Sequence, residues 1–361
     1  MDPLQEARKI INEVDDEMAR LFVRRMRAVE QVAAYKQAHG LPILDEAREE
    51  AIIRHGACRV EDDVLRAYYV NFIKHNMALS RGYQHRLMEG MRVAYAGTEG
   101  AFAHIATGKL FPMAERVAFG NFADAYRAVE TGMCDAAVLP VENSSNGDVG
   151  QVTDLMFAGN LYVNAMLDLA VSHDLLAIPG TAKQQIKRVI SHPQALGQCA
   201  DYIRKNCWEP VEFANTALAA KHVAKANDCS VAAIASEEAA AVFGLEVLER
   251  NVNASRSNTT RFAVFSRAEN LQNAGRMGEH FIMVFTVKNE AGSLARAIDI
   301  IGRHGFNMRT LRSRPMKELL WQYYFYVEAE GNIHGEEGRA MLKELNTCCD
   351  RLKVAGTYAV V

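Results

Sequence analysis

Eight residues within the first 84 have the types and spacing to hold a small polyanion: Arg8, Arg25, Lys36, Asp45, Arg48, Glu49, Ser80 and Gln84. Lys36 follows Arg25 by eleven residues, close to three helical turns, so in a helix both project from one face. Arg8 lies seventeen residues before Arg25, a quarter-turn or more off that line. Asp45, Arg48 and Glu49 share a face at i, i+3 and i+4, and Ser80 and Gln84 do so at i, i+4. Such a face either carries ordinary solvated ion pairs or is turned inward, where buried Arg and Lys require an anionic partner. A second stretch, SNTTRFAVFS (257–266), sets two threonines and Arg261 at the mouth of a strand-like alternation. Asn258 and Thr259 suit a turn, and Thr260 suits the start of a strand.

The elements that must position these residues fall in three zones. Residues 4–38 read as one helix, with Leu4, Ala7, Ile11, Val14, Met18, Leu21, Val29 and Val32 at threes and fours. At ~1.5 Å per residue it runs roughly 50 Å, far beyond the average globular helix. HGLP (39–42) stops it; a second helix is expected from Ile43 or Asp45, and a third over 62–88. Three such helices cannot enclose a compact core alone, so an intertwined dimer is expected. From Met91 the texture changes to strands RVAYAG (92–97), DAAVLPV (135–141), RVISH (188–192) and CSVAAIA (229–235) alternating with helical segments, an α/β pattern. SRAENLQNAGRMG (266–278) reads as a linker. Residues 279–361 follow the order β-α-β-β-α-β, with strands HFIMVFTV, NMRTLRSRPM, LLWQYYFYVEAE and GTYAVV and a second helix over 335–349; this is the ferredoxin-like order.

Bulk properties narrow the class. A chain of 361 residues, 49% apolar and 24% charged, reads as a globular protein of two or three domains. A net charge of −3 gives no basic field for nucleic acid. The seven cysteines contain no C-x-x-C pair, which predicts reduced thiols, no metal site and a cytoplasmic protein. MDPLQEARKI is no signal peptide, and no apolar run approaches the ~20 residues that cross a bilayer, so no membrane partner is expected.

The N-terminal zone resembles the all-helical chorismate mutases found at the start of bifunctional phenylalanine-pathway enzymes. All eight residues above match site positions of that family in order and spacing, and YKQAHGLPILDEAREE (35–50) is the most diagnostic stretch. The resemblance implies a homodimer or higher homo-oligomer in which Arg8 comes from the partner chain. It also implies a pericyclic conversion of chorismate to prephenate that needs no nucleophile, proton transfer or cofactor. Arg8, Arg25 and Arg48 would hold the two carboxylates. Lys36 and the Gln84 amide would stabilise charge on the breaking ether oxygen. Asp45 and Glu49 would accept from the substrate hydroxyl or orient neighbouring cations, with Ser80 beside them.

The middle zone is similar to the prephenate dehydratase module of the same enzymes, through PVENSSNG (140–147), SHPQALGQC (191–199), ASEEAA (235–240), GLEVLE (244–249) and NTTRF (258–262). The resemblance implies two α/β lobes with substrate between them. There Thr260 assists loss of the ring hydroxyl, Arg261 anchors a carboxylate, and Glu142 orients the donor. Asn143, Ser144, Ser191, His192, Gln194 and Thr259 position the substrate. In AGTEGAFAH (96–104), Thr98 stands where proline is common, and Ala101 and Ala103 replace residues that usually carry hydroxyls. That loop lacks G-x-G-x-x-G, and Glu99 would repel a pyrophosphate, which argues against a nicotinamide site.

The last zone resembles the ACT regulatory domain, with GSLA (292–295) and RSRP (312–315) in the places of its two motifs. Gly292, Leu294, Ser313, Arg314 and Pro315 are kept, which implies L-phenylalanine as effector. Arg312 replaces a glutamate, which either removes an acceptor for the ligand's ammonium or, if it points to solvent, leaves the pocket intact. The expected architecture is an all-α mutase (1–90), a two-lobed α/β dehydratase (91–267) and a ferredoxin-like α+β regulatory domain (279–361). Two other readings compete: a non-catalytic aromatic-metabolite sensor, and a single-activity dehydratase whose helical domain only dimerises.

Overall fold

The three N-terminal helices begin where a carboxylate can cap them. The computed structural model describes residues 2–254, 258–271, 279–316 and 322–359. Asp2 accepts from Leu4 N at 3.1 Å and opens the 37-residue helix Pro3–His39, which Gly40 ends at φ 62°. Asp45 accepts from Arg48 N at 3.0 Å and opens Glu46–Ala57. Asp62 accepts from Val64 N and Leu65 N at 2.8 and 2.9 Å and opens Asp63–Glu89. These caps satisfy amides that the first turn of a helix leaves free. The chain divides into two compact units, residues 1–92 with 131–135, and 93–130 with 136–361.

Within the first unit, Tyr83 donates to Glu30 and Gln37 to Met88 O, so the first and third helices run side by side in one direction. Of the apolar stripe expected on the first helix, only Val29 is buried. Leu4, Ile11, Val14, Met18 and Leu21 remain 42 to 57% exposed. A single copy therefore leaves most of that stripe uncovered.

The second unit is built on two sheets. The larger runs in the order Asn307–Pro315, Tyr323–Glu330, Glu279–Val287, Cys349–Ala359, Tyr162–Ala170, Thr259–Ser266, Ala136–Asn143, Arg92–Ala96, Glu115–Phe119, with the short strand Gly147–Asp148 beside Ala136–Asn143. The smaller runs Glu246–Glu249, Asp174–Ala177, Val231–Ala235, Arg188–Ser191, Glu209–Glu212. Alanines of the helices Thr216–Ala226 and Glu237–Phe243 pack on the smaller sheet with Leu176 and Ile190, close enough to need small side chains.

The C-terminal region keeps the β-α-β-β-α-β order, with helices Ser293–Arg303 and Glu336–Leu345. Its last strand starts at Cys349, not at residue 356, because Cys349 already pairs with Val287 and ends the helix early. This region also continues the larger sheet: Gly356 lies against Val163 at φ 143°, where a Cβ would overlap the Val163 backbone. Ser257, residues 272–278 of the linker, Leu319 to Trp321 and residues 360–361 fall outside the described residues.

Candidate active sites

In the first unit the structure joins part of the expected polar set. Ser80 and Gln84 are 4% and 7% exposed, one turn apart on the third helix. The Arg25 guanidinium donates to Ser80 Oγ, which itself donates to Asn76 O at 2.9 Å. Burial pushes the Arg25 pKa down, as it does for any cation withdrawn from water. Gln84 Nε2 reaches Ser80 O at a long 3.4 Å, and Gln84 Oε1 is buried without a partner. Its amide is thus close to unspent. Lys36 Nζ donates to Ile43 O at 2.5 Å. Glu49 is paired with Arg81, a residue the sequence reading did not single out although it adjoins Ser80. Asp45 is engaged as a cap, and Arg48 is exposed. Arg8 sits on the same unbroken helix as Arg25, about 25 Å away along the axis at ~1.5 Å per residue, so one chain does not bring them together.

The second unit encloses a cavity of about 380 Å³ with Thr260 and Asn143 in its wall. Gly97, Ala101, Phe102, Ala103, Phe122 and Phe262 make its apolar side, and its described lining carries no Asp, Glu, Lys or Arg. Thr260 is in register with Asn143 on the neighbouring strand. Asn143 Nδ2 donates to Thr260 Oγ1 at 2.8 Å and to Asn258 Oδ1 at 2.9 Å. Asn143 Oδ1 accepts from Ser145 N and Asn146 N at 3.0 and 3.1 Å, which fixes which end of the amide faces Thr260. Asn258 Nδ2 donates to Gln198 Oε1 at 3.1 Å, and His173 Nε2 lies 2.9 Å from the same oxygen. Gln198 Oε1 accepts only, so His173 carries its proton on Nε2 and leaves Nδ1 bare; that atom is buried without a partner. Desolvation pushes the His173 pKa down and keeps the ring neutral. His192 caps the helix Pro193–Gln198, accepting from Gln194 N at 3.3 Å.

Of the residues expected at this site, the cavity wall contains Asn143, His192, Gln194 and Thr260. Arg261 lies on the opposite face of its strand, donates to Asp168 at 2.8 Å and sits 3.5 Å from Glu328. The Asp168 hydrogen bond, more than any other neighbour, raises its pKa. Successive strand residues point to opposite faces, so Thr260 and Arg261 cannot both face one cavity. Glu142, the register partner of Arg261, shares that opposite face and pairs with Arg312. Ser144 Oγ accepts from Thr259 N at 2.9 Å, and Ser191 Oγ is wholly buried and donates to Ile234 O at 2.5 Å. Glu142, Ser144, Ser191, Thr259 and Arg261 thus hold the walls together and do not line the space. The sequence reading missed His173, Gln198 and Asn215, and gave Asn258 only a turn; all four line the cavity. Thr98 Oγ1 is buried without a partner.

A second cavity of about 500 Å³ lies in the C-terminal region, with Leu294, Glu290, Asn289, Tyr323 and Phe325 in its wall. Gly292, at φ 85°, opens the helix that carries Leu294. Ser313 and Pro315 are exposed, while Arg314 is turned to Asp148 and Asp154. Arg312 does not point to solvent: it is half-buried between Glu142 and Asp148.

Comparison with known proteins gives the family of each region. Residues 7–85 match the family described as chorismate mutase type II, and residues 93–270 match prephenate dehydratase. A bifunctional chorismate mutase/prephenate dehydratase of Enterobacter agglomerans is 30% identical, over 99% of this chain and 96% of that protein. Among solved structures, the prephenate dehydratase of Arthrobacter aurescens in complex with L-Phe has a TM-score of 0.69 at 26% identity, covering 75% of this chain and 90% of its own. GqqA, described as a novel type of quorum-quenching acylase, has a TM-score of 0.70 at 29% identity, covering 75% of this chain and 98% of its own.

Proposed function

We propose how each site works from the premise that this chain belongs to the bifunctional chorismate mutase/prephenate dehydratase family. It converts chorismate to prephenate, and prephenate to phenylpyruvate with loss of CO2 and water. We assign the first reaction to residues 1–90 and the second to 91–267.

For the mutase, Arg25, Arg48 and a partner chain's copy of Arg8 hold the two carboxylates in the folded conformation that rearrangement requires. Lys36 and the Gln84 amide meet the ether oxygen as its bond breaks. Asp45 and Glu49 serve the substrate hydroxyl and its neighbours, and Ser80 fixes Arg25. Two facts support a dimer: Arg8 lies about 25 Å from Arg25 on one helix, and the apolar stripe of that helix is uncovered.

For the dehydratase, one observation carries the reading: Asn143 Nδ2 donates to Thr260 Oγ1. The threonine oxygen therefore accepts within the protein, and its own proton is left for the substrate. During the reaction the bond from ring to carboxylate breaks and its electron pair enters the ring. The bond to the ring hydroxyl breaks with its pair on oxygen, and the hydroxide so released takes a proton from solvent to become water. Thr260 hydrogen-bonds that departing oxygen; a hydroxyl is a weak acid, so aromatisation supplies most of the driving force. His192 and Gln194 offer polar contacts to the carboxylates in place of Arg261.

The acylase description of GqqA suggests a different chemistry for this cavity. An acylase needs a nucleophile with a base beside it, whereas the partner of Thr260 is an amide that donates to it. The geometry favours the lyase. Incubating the purified chain with chorismate and following prephenate and phenylpyruvate tests both assignments; failure to form either product overturns the corresponding one.

We further propose that residues 279–361 are an ACT-type regulatory domain that takes L-phenylalanine at the Leu294 cavity, with the Gly292 turn and strand 307–315 beside it. The L-Phe complex of the Arthrobacter aurescens protein supports this. Because Arg312 is occupied by Glu142 and Asp148, its charge does not bear on the ligand's ammonium. Calorimetry with L-phenylalanine should show binding; no heat at millimolar ligand with both activities unchanged overturns it.

A further inference from the structure

The strand Asn307–Pro315 holds the hairpin that carries Asn143. Arg312 donates with one guanidinium nitrogen to Glu142 and with the other to Asp148 Oδ1 at 3.0 Å. Glu142 and Asp148 are register partners on the two strands of that hairpin, and Asn143 with Gly147 forms the next rung. A single guanidinium therefore closes the hairpin one rung from the residue that donates to Thr260. Beyond this rung, residues 144–147 are exposed.

The surroundings are built to keep Arg312 there. Its side chain is 22% exposed and its guanidinium carbon lies 5.7 Å from the Tyr326 ring centroid. Asp148 also accepts from Arg314 at 3.1 Å and from Thr153 Oγ1 at 2.9 Å, so its carboxylate cannot swing away to follow another partner. Arg314 in turn is held by Asp154 and Tyr324, at 3.0 and 3.1 Å from its Nε. Gly150 leaves the space for Arg314, since a Cβ there would overlap the guanidinium. Alternating charges that satisfy one another in a half-buried site make a stiff contact, because breaking one bond leaves a charge unpaired.

We propose that Arg312 is a positioning residue of the dehydratase: by clamping Glu142 to Asp148 it sets the Asn143 amide against the Thr260 hydroxyl. This rests on the assignment of Asn143 and Thr260 to that site. Arg312 touches neither the cavity nor the substrate, and its effect passes through the hairpin alone. Loss of the clamp lets the amide drift, and a misplacement of about 1 Å in a catalytic contact costs on the order of 10²-fold in rate.

The test compares the 361-residue chain with its Arg312→Ala, Arg312→Lys, Asp148→Asn and Thr260→Ala variants, each given prephenate, with mutase rate and melting temperature read on the same samples. Arg312→Ala is expected to lower kcat by about 10- to 100-fold with KM changed less than about threefold, and to leave the mutase rate intact. Arg312→Lys, whose single ammonium cannot span both carboxylates, falls between it and the unmodified chain. If Arg312→Ala does not fold, Asp148→Asn decides, since it keeps the shape, strips the charge from one arm of the clamp and turns an amide nitrogen toward a guanidinium; an unchanged kcat there overturns the proposal. A kcat for folded Arg312→Ala within about twofold of the unmodified chain overturns it too, and so does a fall in dehydratase rate matched by an equal fall in mutase rate. Full activity of Thr260→Ala overturns the site assignment beneath it, an outcome distinct from an inactive Thr260→Ala beside a fully active Arg312→Ala.

Discussion

The Asn143 amide and the Thr260 hydroxyl are 2.8 Å apart, and the amide is the donor because its oxygen is already committed to Ser145 N and Asn146 N. A threonine that accepts from the protein keeps its own proton for whatever enters the cavity. The polarity of this one contact distinguishes a site that assists a leaving hydroxide from one that activates a nucleophile.

Asn143→Asp tests that polarity. The carboxylate keeps the acceptor for the two turn amides but can no longer donate, so Thr260 turns its proton to residue 143. Dehydration of prephenate should fall by about 10²-fold or more, further than in Asn143→Ala, where the hydroxyl is undirected but not diverted. Steady-state kinetics with supplied prephenate read the difference. An Asp variant as active as the unmodified chain refutes the donor role.

The place of Thr260 in the cavity wall was legible in the sequence and that of Arg261 on the opposite face was not, for one physical reason. The motif names neighbouring residues, while a strand sends neighbours to opposite faces. Alternation alone would have put Thr260 with Phe262 on the cavity side and Arg261 on the other. The long helix and its successors were legible from apolar spacing and from the HGLP stop. His173, Gln198 and Asn258 were not, because their union depends on two separate loops and the end of a helix, and no local pattern records a contact across such distances in the chain. Arg312 was read as a departure from a motif, yet its meaning lies in Glu142 and Asp148, more than 160 positions earlier.

Gln84→Glu should make the mutase depend on acid. Residue 84 is 7% exposed, and burial raises a carboxyl above its ordinary value of about 4.3 because the charged form loses its water. Only the protonated acid can donate to the ether oxygen. Activity is therefore retained below the raised pKa and lost as pH rises through it, while the unmodified amide gives a flat profile over the same range. The charged form is also the less stable one when folded, so the variant's melting temperature should fall in the same direction. A variant with the flat profile of the parent would show that residue 84 does not reach the ether oxygen.

Mixing inactive chains tests the dimer. If Arg8 serves the site of its partner, a mixed pair of Arg8→Ala and Lys36→Ala chains has one site with both lesions and one with neither. Random reassortment makes half the dimers mixed, so mutase activity should recover to about a quarter of the unmodified level. Each variant alone should lose on the order of 10²-fold. A mixture no more active than its components shows that Arg8 acts within its own chain or not at all.

His304 links two helices through charge. Its Nδ1 lies 3.0 Å from Glu337 and its Nε2 3.0 Å from Glu344, so both nitrogens face acceptors, which favours the imidazolium. It follows the last turn of Ser293–Arg303, where a helix favours a positive charge, and Arg303 shares Glu344 at 2.8 Å. The Glu337 hydrogen bond first, then Glu344, raise the His304 pKa above its ordinary value of about 6.5. A histidine raised on folding contributes stability that is fully present below the unfolded value and disappears as pH rises through the folded one. The melting difference between the unmodified chain and His304→Gln should therefore be largest near pH 6 and shrink toward pH 8.5. Glu344, which Arg303 and then His304 depress, sets the acid side, where protonating the carboxylate removes the same contact. Thermal unfolding followed across that range reads the slope directly. A difference that stays constant from pH 6 to 8.5 would mean that His304 holds the two helices by packing, with no charge in the link.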